Sequence, residues 1–226
     1  MNGFKVGFFG LVALAMVLST TGCSSKSAGI RKVNRAVAEI ENTIERRNLG
    51  GLDKYEAVAL VKYNKVGLYG FGLMNYSGTI FYQEAGSEKF GPPSFVQGGG
   101  FSAGLAYGGL NSVDVLYLFT QRRHARQLAR GNFTWNFSNE ASFLFWGRKH
   151  ITMYDVKTTT NGAGLCVGLL EAEGYVGSDR DSMQENLYGR RVSLTTIMDG
   201  RATPPEEIRP ALDRLTMIMN EEVEGE

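Results

Sequence analysis

The chain has 226 residues, 43% of them hydrophobic, and carries 24 basic against 23 acidic side chains for a formal net charge of +1. That length buries one full core, or a domain with an appendage, and the charge is far from that of a dedicated nucleic-acid binder. Glycine is the outlier at 29 residues, without a three-residue period and with only five prolines; this excludes collagen and argues against disorder.

Lys5 supplies a small positive start, residues 6–18 an apolar run, and Ser19-Thr20-Thr21-Gly22-Cys23-Ser24-Ser25 follows. That order reads as an export signal over residues 1–22. The run is shorter than the roughly 20 apolar residues a membrane-spanning helix needs. Gly-Cys-Ser-Ser resembles the lipobox of bacterial lipoproteins, with Thr20 where that pattern prefers Leu. The resemblance implies lipidation of Cys23, and Ser24 after it implies an outer-membrane anchor facing the periplasm; a plain signal peptide is the alternative. Cys166 is then alone in Gly164-Leu165-Cys166-Val167 and reads as an inert buried thiol. His124 and His150 have no second ligand at metal-binding spacing, so neither a metal nor a cofactor is expected.

Residues 23–29 read as a Ser-rich linker. Ile30, Val33, Val37, Ile40 and Ile44 then recur at helical spacing, and Asn48-Leu49-Gly50-Gly51 supplies a glycine stop. Arg31, Lys32, Arg35, Arg46 and Arg47 fall on the other face, among Glu39, Glu41 and Glu45. Two placements are open: the helix lies on a membrane surface beside the lipid anchor, or its stripe packs on the sheet, the more ordinary outcome. A second short helix is expected over residues 52–57.

Strands follow at residues 58–81, broken by Gly67, Gly70, Gly72 and Gly78, and again at 94–107. In the latter, Gly98, Gly100, Gly104 and Gly108 share parity and leave a bare face open to a helix or second sheet. The strand SVDVLYLF at 112–119 leads into a helix from Thr120 or Gln121. There Arg122, Arg126 and Arg130 drift only about 40° per step, with Arg123 beside them, opposite Ala125, Leu128 and Ala129. Guanidinium groups in such a stripe suit phosphate.

Phe133, Trp135 and Phe137 alternate with polar residues as in a half-buried strand. Strands at 141–146 and 150–156 flank a basic turn, Gly147-Arg148-Lys149. Asn161-Gly162 is a hairpin signal ahead of a strand over 164–176. Helical patterning returns at 182–187 and 195–198, and Pro204-Pro205 opens a last helix over 206–220. Residues 23–200 hold 20 basic against 16 acidic side chains and residues 201–226 three against seven, a mildly basic body with an acidic tail.

Gly100-Phe101-Ser102-Ala103-Gly104 spells the nucleophile-elbow pattern of hydrolases. An elbow needs a strand, a strained turn bearing the serine, and then a helix. Here Gly104, Gly108 and Gly109 oppose a helix, so the match reads as incidental and no enzymatic activity is expected. A serine hydrolase using Ser102 is the alternative. The same glycines lack the strand-turn-helix order of a dinucleotide site.

Pro93-Ser94, the glycine-rich strand, the strand-helix unit from Val113 to Gly131, Gly164-Leu165 through Glu171-Ala172-Glu173-Gly174, and Leu187-Tyr188-Gly189-Arg190 followed by Ile197 and Gly200 together resemble the SYLF domain family. The likeness spans most of residues 35–204, in the family's order. It implies binding of lipid or a membrane surface; some eukaryotic members also bind actin, and bacterial members are commonly exported or lipid-anchored proteins without an assigned activity. Membrane contact would fall on the helix bearing Arg31, Lys32 and Arg35, and on Arg122, Arg123, Arg126 and Arg130. The expected fold is α+β: an antiparallel β-rich core, sandwich or barrel-like, flanked by N- and C-terminal helices. The domain would span 30–204, with a helix and acidic tail at 205–226. The expected function is noncatalytic binding of anionic phospholipid at the bacterial envelope, with an envelope protein docked on the aromatic strands as the alternative partner.

Overall fold

Alternation of β-branched or aromatic residues with small or polar ones builds four strands. In the computed structural model, which describes residues 25–68, 71–103, 108–130, 134–143, 146–149, 159–179 and 181–221, they are β1 (Ala57–Leu68), β2 (Phe71–Tyr82), β3 (Ser94–Ala103) and β4 (Gly108–Phe119). They pair antiparallel in the order β3-β2-β1-β4. The export segment, Cys23, Ser24 and the strand expected over 150–156 lie outside the described residues.

Three more strands follow: β5 (Thr134–Phe143), β6 (Trp146–Lys149) and β7 (Thr159–Asp179). The long β7 pairs with β4 through residues 159–166 and with β3 through residues 172–179. Both outer strands of the four-stranded sheet therefore meet one strand, and the sheet closes in a barrel-like ring. The α+β architecture, an antiparallel β-rich core with helices at both ends of the chain, is present.

The helices are α1 (Lys26–Arg47), α2 (Arg122–Arg130), α3 (Asp181–Tyr188), α4 (Leu194–Met198) and α5 (Arg209–Asn220), with a 3-10 turn at Glu206–Ile208 before the last. Period-two alternation divides them between two faces of the sheet. Ala57, Ala59, Val61 and Tyr63 of β1 share a core with Ala125 and Ala129 of α2 and Leu194 and Ile197 of α4. Val58, on the opposite face, shares a second core with Val33, Val37, Ile40 and Ile44 of α1, Leu187 of α3, and Leu212 and Leu215 of α5.

The apolar stripe of α1 is thus spent on the sheet and is not free to enter a membrane. Burying side chains of this size stabilises the fold by about 1.5–3 kcal/mol each. Helix α5 joins the same core through Leu212, Leu215 and Met219. Arg214 clamps Glu41 of α1, its Nε donating to Oε1 at 2.9 Å while Nη2 meets Oε2. Among the described residues no helix is long and apolar enough to cross a membrane.

Several local expectations are corrected. Helix α1 begins at Lys26 within the expected linker, because Ser25 caps it by accepting the Ala28 N–H at 3.2 Å. Gly29 therefore lies inside the helix, where it permits close approach to α3: an added Cβ would sit 3.3 Å from Leu187. The stop is Asn48 rather than glycine, in the left-handed region at φ 47°, with the Leu49 N–H returning to Ile44 at 3.1 Å. Residues 52–56 form a turn, closed by the Tyr55 N–H on Leu52, instead of a short helix.

Two turn expectations fail because pairing over distance overrides local turn chemistry. Asn161 and Gly162 do not turn; they pair with Asp114 and Val113 inside β7. Gly147, Arg148 and Lys149 belong to β6 and pair with Ser142, Ala141 and Glu140 of β5. The bare glycine face of β3 lies on the side where α2 packs and approaches the strand, and at Gly98 the cross-strand ring of Tyr76 fills the space a Cβ would need.

Ile40, fully buried between α1 and the sheet, tests this packing. Ile40→Ala is expected to lower unfolding free energy in urea by about 2–5 kcal/mol, the cost of the lost transfer energy plus a cavity. A loss below about 1 kcal/mol, within the range of surface substitutions, would show that α1 is not anchored on the sheet as described.

Candidate functional site

The outer face of the four-stranded sheet changes character along its strands, and register makes the change visible row by row. Leu118, Val58 and Phe81 form one cross-strand row, and Leu116, Leu60, Thr79 and Phe95 the next. The third is Asp114, Lys62, Ser77 and Gln97, and the fourth Ser112, Asn64, Asn75 and Gly99. The first two rows are mostly apolar, and α1 covers them except around Leu60 and Thr79. The fourth is polar and self-satisfied, with Ser112 donating to Asn64 Oδ1 at 2.9 Å and Asn64 Nδ2 donating to Asn75 Oδ1 at 3.0 Å.

Between the sealed end and this polar row, α1 and the sheet part to leave a cleft of about 510 Å³. Arg31, Lys32, Arg35 and Glu39 line it from the helix, and Leu60, Lys62, Ser77, Thr79 and Asp114 from the sheet. Three of the five cations that the sequence assigns to the N-terminal helix thus converge on one cavity, joined by Lys62. Two carboxylates accompany them.

Charges in the cleft are poorly matched internally. Among the described residues, ion pairs within 4.0 Å join Lys26 to Glu207, Arg122 to Glu56, Arg201 to Asp199, Arg209 to Glu206 and Arg214 to Glu41. None of these involves Arg31, Arg35, Lys62, Glu39 or Asp114. Lys32 lies with Nζ 5.5 Å from the centre of the Phe95 ring, a cation–π distance. Thr79 Oγ1 is buried without a hydrogen-bond partner, which costs about 1–3 kcal/mol when left unmet.

Burial raises the Asp114 carboxyl above its ordinary range; Lys62 and Arg35 pull it back, and Glu39 adds to the rise. Desolvation of an unpaired carboxylate therefore exceeds the help its cationic neighbours give. A divalent metal would have to enter among four cations, and among the described residues no three metal-ligating side chains gather.

The α2 arginines do not join this site. Their helix packs through Ala125 and Ala129 into the core on the opposite face of the sheet, and the stripe itself divides. The Arg122 backbone N–H donates to Glu56 Oε2 at 3.0 Å, an acid at the helix N-terminus that sequence reading places elsewhere. Arg126 Nη2 donates to Thr195 Oγ1 at 3.3 Å, and its Nε is buried without a hydrogen-bond partner. Arg123 and Arg130 are exposed. Four arginines in register on a helix thus become two docking groups and two surface charges.

Ser102 lies within β3, paired with Gly72 of β2 and Glu173 of β7. A nucleophile elbow instead holds its serine on a turn between strand and helix; here the next described element is strand β4. His150 lies outside the described residues. Comparison with protein-family models, curated proteins and solved structures finds no match.

The raised Asp114 carboxyl has a thermodynamic consequence. An acid whose pKa is raised by folding favours the folded state while protonated; that stability is fully present below the ordinary value of 3.8 and is lost as pH rises through the folded value. Asp114→Asn is therefore expected to raise the melting temperature at pH 7, with the gain shrinking as pH falls through the raised folded value and gone below 3.8. Equal gains at pH 7 and pH 3 in thermal melts would refute a titration origin.

Proposed function

We propose that this chain is a noncatalytic phospholipid-binding lipoprotein of the bacterial envelope, anchored through Cys23, which uses the cleft beneath α1 to hold headgroup phosphate. The observation that carries the reading is the convergence of Arg31, Lys32, Arg35 and Lys62 with the unpartnered Thr79 hydroxyl on one cavity. Guanidinium and ammonium groups donate to phosphate oxygens, and charge-assisted bonds of that kind are about twice as strong as neutral ones. The resemblance to the SYLF family supports the same reading. The place of Ser102 within the paired strand β3 does not favour the serine-hydrolase alternative.

The full-length chain carrying Cys23→Ser, so that no acyl group inserts, tests this by co-sedimentation with phosphatidylcholine vesicles containing phosphatidylglycerol. Arg31→Glu with Arg35→Glu is expected to weaken binding about tenfold or more, equivalent to roughly 1.4 kcal/mol or more. Raising salt from 0.1 to 1 M, which shortens the screening length from about 10 to about 3 Å, should release the wild type. Arg123→Glu with Arg130→Glu, on the opposite face, should leave affinity within about twofold. Undiminished binding by the Arg31 and Arg35 variant would overturn the assignment to this cleft.

A further inference from the structure

The cleft is bipolar, and a purely anionic ligand leaves half of it unexplained. Helix α1 crosses the sheet obliquely: Lys32 stands over Phe95 of β3, while Arg35 and Glu39 act electrostatically on Asp114 of β4. Arg31 and Glu39, eight residues apart, are separated by about 12 Å along the helix. On the floor, Lys62 lies in register between Ser77 and Asp114, two strands that flank β1 and so stand about 10 Å apart. One end therefore offers Arg31, Lys32 and the Ser77 and Thr79 hydroxyls. The middle offers Arg35 and Lys62, and the far end the carboxylates of Glu39 and Asp114.

We infer that the cleft selects a phosphate monoester or diester that also carries a primary ammonium group, with phosphoethanolamine as the minimal form. The phosphate would take the cationic end, with the Thr79 hydroxyl completing its hydrogen bonds. The ammonium would take the acidic end, where Asp114 stands outside every ion pair named above and is only half-buried. A two-carbon link suits charges of opposite sign held in adjacent subsites. A trimethylated ammonium lacks N–H donors for the two carboxylates and should fit less well. The inference rests on the phospholipid reading of the same cleft and names its headgroup class.

Titration calorimetry of the full-length Cys23→Ser chain with soluble phosphoethanolamine, phosphocholine and inorganic phosphate decides the matter, alongside the vesicle assay. Phosphoethanolamine is expected to bind about tenfold more tightly than either of the others, as one charge-assisted pair allows. Asp114→Asn should erase that preference while leaving binding of inorganic phosphate intact or stronger, and its retained fold is checked by the melt already described. Phosphatidylcholine vesicles doped with phosphatidylethanolamine identify the source. Binding to them points to a lipid headgroup, and binding only to the soluble ester points to a free metabolite; both support the bipolar site. Equal affinity for all three soluble compounds, or an unchanged preference in Asp114→Asn, overturns the inference. If phosphatidylglycerol vesicles still bind through Arg31 and Arg35, the phospholipid reading survives that loss.

Discussion

Helix α1 stays on the sheet because Val33, Val37, Ile40 and Ile44 find an apolar surface at one end of the outer face, where Val58, Phe81, Phe95, Leu116 and Leu118 stand in adjacent rows. The contact is hydrophobic and non-directional, so it fixes where the helix lies without matching the polar groups beyond. As the rows turn polar at Lys62 and Asp114, the helix continues with Arg31, Lys32, Arg35 and Glu39 along its margin. The cleft is the region where apolar contact has ended and the two charged surfaces have not closed on each other. Helix α5 holds this geometry from outside, through the Arg214–Glu41 clamp and the buried Leu212 and Leu215.

Much of the fold was legible because period alone carries it. Alternation at Val58, Leu60 and Lys62 against Ala57, Ala59 and Val61 separates two faces before any partner is known, and the spacing of Ile30 to Ile44 identifies a stripe that has to be buried. Features set by partners were not legible. Asn161-Gly162 has the composition of a tight turn, yet it runs straight because β4 offers a full edge to pair with. The parity of the β3 glycines was readable, but the neighbour that occupies the space at Gly98 was not. Tyr76 is 22 residues upstream in sequence and directly opposite in register, and burial there pushes its hydroxyl up to about 12.

The same distinction governs the site. Arg31, Lys32 and Arg35 could be named from charge on a helix, since a cationic face is a local property. Lys62, Thr79 and Asp114 could not, because each becomes part of the cleft only through pairing among β1, β2 and β4. The α2 arginines show the converse case. Their stripe is real in helical geometry, but whether an arginine is available depends on Glu56 and Thr195, which reach α2 from elsewhere in the chain.

Asp114 is the residue that separates a site from a gap in packing. A cleft left by imperfect packing would be expected to relax toward internal ion pairs, since cross-strand opposite charges such as Asp114 and Lys62 gain when they meet. Here Asp114 and Lys62 belong to none of the ion pairs within 4.0 Å among the described residues, and burial raises the carboxyl more than Lys62 and Arg35 lower it. Backbone register fixes Asp114 and Lys62, and the helix packed above fixes Arg35 and Glu39. Such a pre-set arrangement of unpaired charge gives little to stability and lowers the reorganisation needed to receive a ligand of complementary polarity.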